Sequence, residues 1–150
     1  MRTNAEGIKL VSDFEGFRPQ VYRDSGGIPT IGYGSCFTPN GSRVTMDHGE
    51  ITHETAISYL EFGLQTAEQA IGRLVSTPLT HNQFSALTSF VYNVGSGNFQ
   101  RSTMRMQINR GSFVDASNEF WKWRRAAGRI LKGLVRRREA ERRLFTKKDI

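Results

Sequence analysis

The sequence is poor in the residues that cross-link small folds, because its 150 residues include one cysteine, Cys36, and four prolines. A single cysteine excludes an intrachain disulfide and suits folding in a reducing compartment. Clustered metal ligands are also lacking, since His48, His53 and His81 are scattered without ligand spacing. We therefore expect no metal and no cofactor, and we interpret the three histidines as surface or capping residues.

Long apolar runs are absent as well. The opening MRTNAEGIKLVSDFEG has no apolar stretch of the roughly 7–15 residues that a signal peptide needs. No segment approaches the ~18 apolar residues that span a bilayer. We predict a protein that is soluble when made and has no signal peptide. If it acts outside the cytoplasm, another agent must release it.

Acidic residues are scarce near the end of the chain. From Lys122 to Lys148 there are twelve Lys or Arg against two acids, so this segment carries +10 and the remainder −3. A basic end on a slightly acidic body predicts attraction to a polyanion such as nucleic acid, an anionic membrane surface or bacterial cell wall. The simplest interpretation of the segment is a solvated helix face.

Hydrophobic periodicity predicts a mainly helical chain with one β-hairpin. Asn4 and Thr52 are candidate N-caps, and THNQ at 80–83 is a capping box. Residues 35–51 favour an irregular loop or a second hairpin. The hairpin is expected within 21–34, and the helices are expected at about 4–14, 53–75, from 81 onward, 102–109, 113–124 and after Gly133.

These elements predict an α+β class, predominantly helical, in a single domain of residues 1–150. We expect a β-containing lobe at about 15–52 and a connecting helix at about 53–75. A helical lobe at about 76–150, together with the N-terminal helix, completes the predicted domain.

The stretch EGFRPQVYRDSGGIPTIGYGS, residues 15–35, places two carboxylates and a hydroxyl around this hairpin. If Ser25 to Gly27 form a three-residue loop, Asp24 pairs with Ile28 and Tyr22 pairs with Thr30. Asp24 and Thr30 are then diagonal neighbours on one face, with Cβ atoms roughly 7 Å apart or less. A water molecule could contact both side chains.

Glu15 ends the preceding helix and could reach the same place. Two carboxylates in different surroundings are the usual means of cleaving glycosidic bonds: one protonates the leaving oxygen and the other activates water. The same residues also have a structural interpretation, in which Asp24 starts a turn, Glu15 ends a helix and Thr30 is an ordinary strand residue. Spacing alone favours this second interpretation.

The wider motif YRDSGGIPTIGYG resembles the active-site signature of bacteriophage-type lysozymes, the endolysins of glycoside hydrolase family 24. Three later blocks resemble the later blocks of that family in the expected order, and the resemblance extends from Ala5 to Phe145. One departure is Ser35, where many members have histidine. The three blocks are ITHETA, QFSALTSFVYNVGSGNF followed by ST, and GLVRRREAERRLF.

The resemblance implies a bilobal lysozyme-like fold with a cleft between a small β-hairpin lobe and a helical lobe. It implies hydrolysis of the β-1,4 bond between N-acetylmuramic acid and N-acetylglucosamine in peptidoglycan. Glu15 would be the general acid, Asp24 would orient or activate the water, and Thr30 would help to position it. Members of this type typically invert the anomeric centre.

Further residues are expected to contact the substrate. Tyr33 follows the catalytic turn, and Asn93, Ser102 and Thr103 belong to the block that resembles the part of the family's helical lobe facing the cleft. The alternative for that block is purely structural, because VGSG can simply end one helix and turn the chain.

Arg138 lies on the apolar stripe of the last predicted helix, and a half-buried guanidinium is costly unless it is paired. Glu15 is one candidate partner, in which case Arg138 would support the catalytic acid. The alternatives are pairing with Glu141 or packing of the arginine stem over the core.

The expected partner is therefore bacterial peptidoglycan, with possible electrostatic contact to anionic outer-membrane lipid. We expect a monomer that stays in the host cytoplasm until a holin lesion, without binding the holin, and then acts in the periplasm and cell wall. Two other functions are weighed. A lytic transglycosylase would need Glu15 but no Asp24 to position water, and a basic nucleic-acid-binding protein would leave the hairpin residues unexplained.

Overall fold

The computed structural model describes residues 1–149, and most of them lie in helices. Two pairs of short strands each form an antiparallel two-stranded sheet. The predicted α+β, predominantly helical class is confirmed. In chain order the elements are α1 (Ala5–Glu15), β1 (Arg18–Arg23), β2 (Pro29–Gly32), α2 (His53–Leu74), α3 (His81–Val94), α4 (Ser96–Gln100), α5 (Thr103–Asn109), α6 (Phe113–Ser117), a 3₁₀ turn (Phe120–Lys122), β3 (Arg125–Ala126), β4 (Arg129–Ile130) and α7 (Lys132–Thr146).

The chain divides into two compact units. The small unit is Val11–Gln65, and the large unit is Met1–Leu10 together with the chain from Thr66 onward. The divisions fall within α1 and α2. The single-domain assignment and its lobe boundaries stay predictions. No helix within residues 1–149 is both long and apolar enough to cross a bilayer.

The small unit is built on the β1–β2 hairpin, whose predicted register is confirmed. Tyr22 pairs with Thr30, and the Asp24 N–H donates to the Ile28 carbonyl at 3.0 Å. The end of β2 packs closely on the start of α2. A Cβ on Gly32, whose φ is +69°, would lie 3.1 Å from the Ala56 Cβ, so both the backbone conformation and the close contact favour glycine.

Residues 35–51 form the irregular segment that the sequence predicts. An isolated bridge pairs Phe37 with Arg43, and the Asn40 carboxamide oxygen accepts the Ser42 N–H at 2.9 Å within the turn. The buried apolar side chains of the small unit come from every part of it: Val11, Ile31, Tyr33, Val44, Ile51, Ala56, Leu60 and Leu64.

The large unit has its core around α3, in which every residue from Phe84 to Val91 is buried. The Phe90 ring lies at its centre, with edge contacts to Phe120 at 5.4 Å and Trp123 at 5.6 Å between ring centroids. Phe120 is fully buried in this core, and the partly buried Trp123 packs against it.

The predicted helix starts are confirmed by their caps. The Asn4 side chain accepts the Gly7 N–H at 3.0 Å, and the Thr52 hydroxyl accepts the Thr55 N–H at 3.1 Å. At α3 the capping box is complete, since Thr80 accepts the Gln83 N–H and the Gln83 side chain accepts the Thr80 N–H. Each cap satisfies a backbone donor that the helix itself cannot use.

The helix predicted at 113–124 begins at Phe113 as expected, but its predicted length is wrong. The α6 helix ends at Ser117, whose hydroxyl donates to the Val114 carbonyl at 2.6 Å. The Asn118 N–H then bonds to the Ala116 and Asp115 carbonyls rather than four residues back. Ser117 and Asn118 are both weak helix formers, because their side chains compete with the helix for backbone hydrogen bonds. A 3₁₀ turn and the β3–β4 hairpin follow, and neither was predicted.

The capping box at α3 gives a test of the fold. We expect Thr80→Ala to lower the free energy of unfolding by about 1 kcal/mol, because the Gln83 N–H loses its acceptor. Chemical denaturation monitored by circular dichroism measures the change. The control is Thr66→Ala, at an exposed position within α2, which should change stability by less than about 0.5 kcal/mol. Equal effects of the two substitutions would contradict the capping role.

Candidate active site

The turn between β1 and β2 is fixed by the side chain of its first residue. The Asp24 carboxylate oxygen Oδ1 accepts the Gly26 N–H at 2.8 Å and the Ile28 N–H at 2.9 Å. Gly27 has a φ of +78°, which lets the loop close in three residues. Both described hydrogen bonds of the Asp24 side chain, within residues 1–149, use Oδ1, so Oδ2 can accept from a further donor such as water.

Thr30 is joined to the same turn from the other strand. It is buried, and its hydroxyl donates to the Ile28 carbonyl at 2.9 Å. The Ile28 N–H therefore donates to the Asp24 carboxylate, and the Ile28 carbonyl accepts from the Thr30 hydroxyl. Because the hydroxyl proton is used in this bond, the lone pairs of the Thr30 oxygen are those that could accept from water. The Cys36 sulfur lies 3.7 Å from the same oxygen.

Glu15 is the last residue of α1 and is half-buried. Gly16, with a φ of +75°, ends the helix directly after it. The Glu15 carboxylate lies against the backbone that follows β2, where a Cβ on Gly34 would be 3.3 Å from Oε2. Gly34 also has a φ of +84°, so both the space and the backbone conformation favour glycine.

Glu15, Asp24 and Thr30 thus lie in the same compact unit, on α1, the hairpin turn and β2. The hairpin sets the relation of Asp24 to Thr30, and Gly34 lies four residues after Thr30 where the backbone approaches Glu15. Within residues 1–149, no group of His, Cys, Asp or Glu is arranged to hold a metal ion. The arrangement offers a proton donor and a water-binding pair, whose catalytic roles stay predictions.

Tyr33 is buried in an aromatic cluster that the sequence did not reveal. Its ring centroid lies 5.4 Å from Phe17 and 5.6 Å from His53, and its hydroxyl hydrogen-bonds the His53 Nδ1. Burial raises the pKa of Tyr33, and the negative charge of Asp13 adds to the increase. The expected substrate contact of Tyr33 stays a prediction, and its hydroxyl already has a partner.

His53 was interpreted only as a surface or capping histidine. It is exposed and begins α2, but it also holds the Tyr33 hydroxyl. Nothing in the local sequence pairs these two residues, which are twenty positions apart. The contact follows from the close approach of β2 to α2 at Gly32.

The three other expected substrate contacts lie in the large unit. Asn93 and Thr103 are exposed, whereas Ser102 is buried. The Ser102 hydroxyl donates to the Phe99 carbonyl at 2.7 Å and accepts the Arg105 N–H at 3.1 Å, which makes it the N-cap of α5. Gly95, with a φ of +96°, ends α3 as the structural alternative expected. Substrate contact by these residues stays a prediction.

Arg138 is fully buried in the large unit, and its charge is paired. Its Nε lies 2.7 Å from the Glu141 Oε1, and its Nη2 lies 3.1 Å from Oε2. Its guanidinium also lies over the Phe90 ring, 5.1 Å from the centroid. The sequence offered Glu15 and Glu141 as carboxylate partners of Arg138, and the ion pair that the structure describes is the one with Glu141.

A second arginine, not singled out from the sequence, completes this buried network. Arg137 lies 3.3 Å from the Glu141 Oε2 and donates to the Ser89 carbonyl. The Ser89 hydroxyl donates to the same carboxylate at 2.6 Å. Burial raises the pKa of Glu141 against the opposing effect of the two guanidinium groups. Burial also lowers the pKa of Arg138, which the Glu141 charge opposes.

The buried network predicts a large effect of a small substitution. We expect Glu141→Gln to lower the free energy of unfolding by about 3–5 kcal/mol, since it leaves buried guanidinium charge without its anion. Urea denaturation measures the loss.

The matched control is Glu139→Gln on the same helix. Glu139 pairs with Arg143 at 2.9 Å on the surface, and loss of such a pair costs less than about 1 kcal/mol. Similar losses for both variants would show that the buried network is not a special contributor to stability.

Comparisons with known proteins find relatives that match nearly the whole chain. A family model described as phage lysozyme matches residues 12–141. The endolysin of Bacillus phage B103 is 39% identical over 97% of this chain, which spans 54% of that relative's length. A crystal structure of a P22 lysozyme mutant is 37% identical, with a TM-score of 0.89, and the match covers 98% of this chain and 99% of that one. The muramidase domain of SpmX from Asticaccaulis excentricus is 35% identical, with a TM-score of 0.83, and the match covers 98% of this chain and 99% of that domain.

Proposed function

The chain belongs to the phage lysozyme family, and we propose that it is an endolysin with muramidase activity. It hydrolyses the β-1,4 bond between N-acetylmuramic acid and N-acetylglucosamine in bacterial peptidoglycan. The observation that carries the proposal is the joining of Asp24 and Thr30 through Ile28, with the Glu15 carboxylate in the same unit against Gly34. Similarity to an endolysin, a lysozyme and a muramidase domain supports it.

Glu15 is the general acid in this mechanism. It donates a proton to the glycosidic oxygen as the bond to the anomeric carbon breaks. The end of α1 and the close backbone at Gly34 limit where the carboxyl group can lie. A donor held in this way loses little freedom when the substrate binds.

Asp24 and Thr30 act on the water molecule. With Oδ1 held by two backbone N–H groups, Asp24 presents Oδ2 to take a proton from the water, and Thr30 accepts a hydrogen bond from it. The water then attacks the anomeric carbon from the face opposite the leaving group, which inverts the configuration.

A lytic transglycosylase needs no such water, because the sugar's own hydroxyl closes the product ring. The organised pair of Asp24 and Thr30 favours hydrolysis for this reason. Product analysis separates the two reactions: hydrolysis gives new reducing ends, and transglycosylation gives anhydro products. Anhydro products from the purified protein would overturn the hydrolytic mechanism.

The partner and location follow from the proposed substrate. The enzyme acts as a monomer on peptidoglycan. It stays in the host cytoplasm until a holin-dependent lesion releases it to the periplasm and cell wall, without direct contact to the holin. Nucleic acid is not a partner in this proposal.

The test of the catalytic acid is Glu15→Gln. We expect wall clearing to fall by about 10²–10⁴-fold, because the amide cannot donate the proton that the carboxylic acid supplies. The assay is the loss of turbidity of bacterial cells stripped of their outer membrane. The control is Glu50→Gln, at an exposed position of the same unit, which should keep full activity. If Glu15→Gln clears cells as fast as the parent, Glu15 is not the acid.

The test of the water-activating residue is Asp24→Asn. The amide oxygen can still accept the Gly26 and Ile28 N–H bonds, so the turn and the melting temperature should be nearly unchanged. The lost negative charge should lower the rate of wall clearing by about 10²-fold or more. Asp24→Ala should lower the melting temperature as well, because both turn bonds are lost. Full activity of the asparagine variant would exclude Asp24 as the base.

A further inference from the structure

The large unit contains a pocket that the proposed reaction does not use. It has a volume of about 390 Å³ and lies beside α6, the start of α3 and the end of α7. We call it the α6–α7 pocket. This volume lies within the range of about 300–1,000 Å³ that is usual for small-ligand sites. It is lined by Thr80, Gln83, Phe113, Val114, Ser117, Arg142, Phe145, Thr146, Lys147 and Lys148.

One side of the pocket is apolar and continuous with the core. Phe145 is buried and Phe113 is half-buried, with their ring centroids 6.4 Å apart. Val114 is 77% exposed, the largest exposure among the exposed large hydrophobic residues of the described chain. A ligand that covers Val114 would remove this apolar surface from water, which is favourable.

The other side of the pocket is cationic. It is formed by Arg142, Lys147 and Lys148, and no acidic residue lines the pocket. The Arg142 Nε is buried and has no hydrogen-bond partner among residues 1–149. A buried donor without an acceptor costs free energy, and an anionic ligand in the pocket would supply the counter-charge that this guanidinium lacks among the described residues.

Other cations in and just after α7 do have carboxylate partners. Arg143 pairs with Glu139 on the surface, and Lys147 pairs with Glu6 at 2.9 Å. For Arg142 and Lys148 the described residues provide no ion pair. The pocket therefore combines an unsatisfied guanidinium donor with an exposed apolar side, and this combination fits a ligand that has an anionic group and an apolar chain.

We propose that the α6–α7 pocket binds an anionic phospholipid of the bacterial membrane, with its phosphate on Arg142 and Lys148 and part of one acyl chain on Phe113, Val114 and Phe145. The apolar side favours a lipid over nucleic acid or peptidoglycan sugars, which carry no acyl chain. The site lies wholly within the large unit, so its existence does not depend on the proposed catalytic residues. It would hold the enzyme at the membrane surface next to the cell wall.

The test uses dodecyl phosphate, below the concentration at which it forms micelles, as a soluble probe in isothermal titration calorimetry. We expect saturable one-to-one binding to the folded full chain. Inorganic phosphate and the uncharged dodecyl maltoside should each bind at least about tenfold more weakly, because each makes only one of the two contacts.

Three variants locate the binding site. Arg142→Gln and Val114→Asp should each weaken binding of dodecyl phosphate by about tenfold or more, the first by removing the charged donor and the second by placing an anion beside the chain. The control is Arg143→Gln, which alters the adjacent surface arginine and should leave affinity within about twofold. Because Val114 is largely exposed, Val114→Asp should leave the fold intact. It therefore tests the site even if Arg142→Gln disturbs folding.

Vesicles connect the probe to a membrane. The protein should sediment with phosphatidylglycerol vesicles and not with phosphatidylcholine vesicles, and Arg142→Gln should reduce the bound fraction more than Arg143→Gln does. Equal effects of the two arginine variants would show general cation attraction and overturn the site. Equal binding of inorganic phosphate or of dodecyl maltoside, or no binding of dodecyl phosphate, would also overturn it.

Discussion

The small unit depends on one side chain that closes its hairpin. A single carboxylate oxygen of Asp24 accepts two backbone N–H groups, and the Asp24 N–H in turn bonds to the Ile28 carbonyl. These bonds fix the three-residue loop and therefore the register of β1 against β2. Because side chains alternate along a strand, the register determines on which face Thr30 lies. The same residue thus sets the geometry of the turn, and in the proposed mechanism its second oxygen takes the proton from water.

The two units use buried or half-buried carboxylates in different ways. Glu141 is fully enclosed and is bonded by Arg137, Arg138 and Ser89, so its charge is consumed by the large unit's own structure. Asp24 is only half-buried and is bonded by neutral backbone donors, which hold its position without neutralising it. This difference is the one expected between a carboxylate that stabilises a fold and one that can take a proton from water.

Local signals predicted the parts of the fold that depend on local chemistry. The caps at Asn4, Thr52 and Thr80 and the register around DSGG follow from side chains that bond a few residues away. The predictions were weaker where a distant contact decides the outcome. Sequence spacing left the partner of Arg138 open and gave no reason to pair Tyr33 with His53. The helix expected at 113–124 ended early, because Ser117 and Asn118 satisfy local backbone bonds that the periodicity of apolar residues does not represent.

The basic segment shows why net charge is a poor guide to a binding surface. The sequence predicted that this segment, with its charge of +10, forms a solvated helix face that could attract any polyanion. In the structure, Arg137 and Arg138 are buried and paired with Glu141, so they are not exposed to attract a polyanion. Arg143 and Lys147 have carboxylate partners on the surface. Arg142 differs from these neighbours because the described residues give it no ion pair and it lies beside the apolar side of the α6–α7 pocket. The recognition of an anion is therefore determined by the local pairing of each cation rather than by their number.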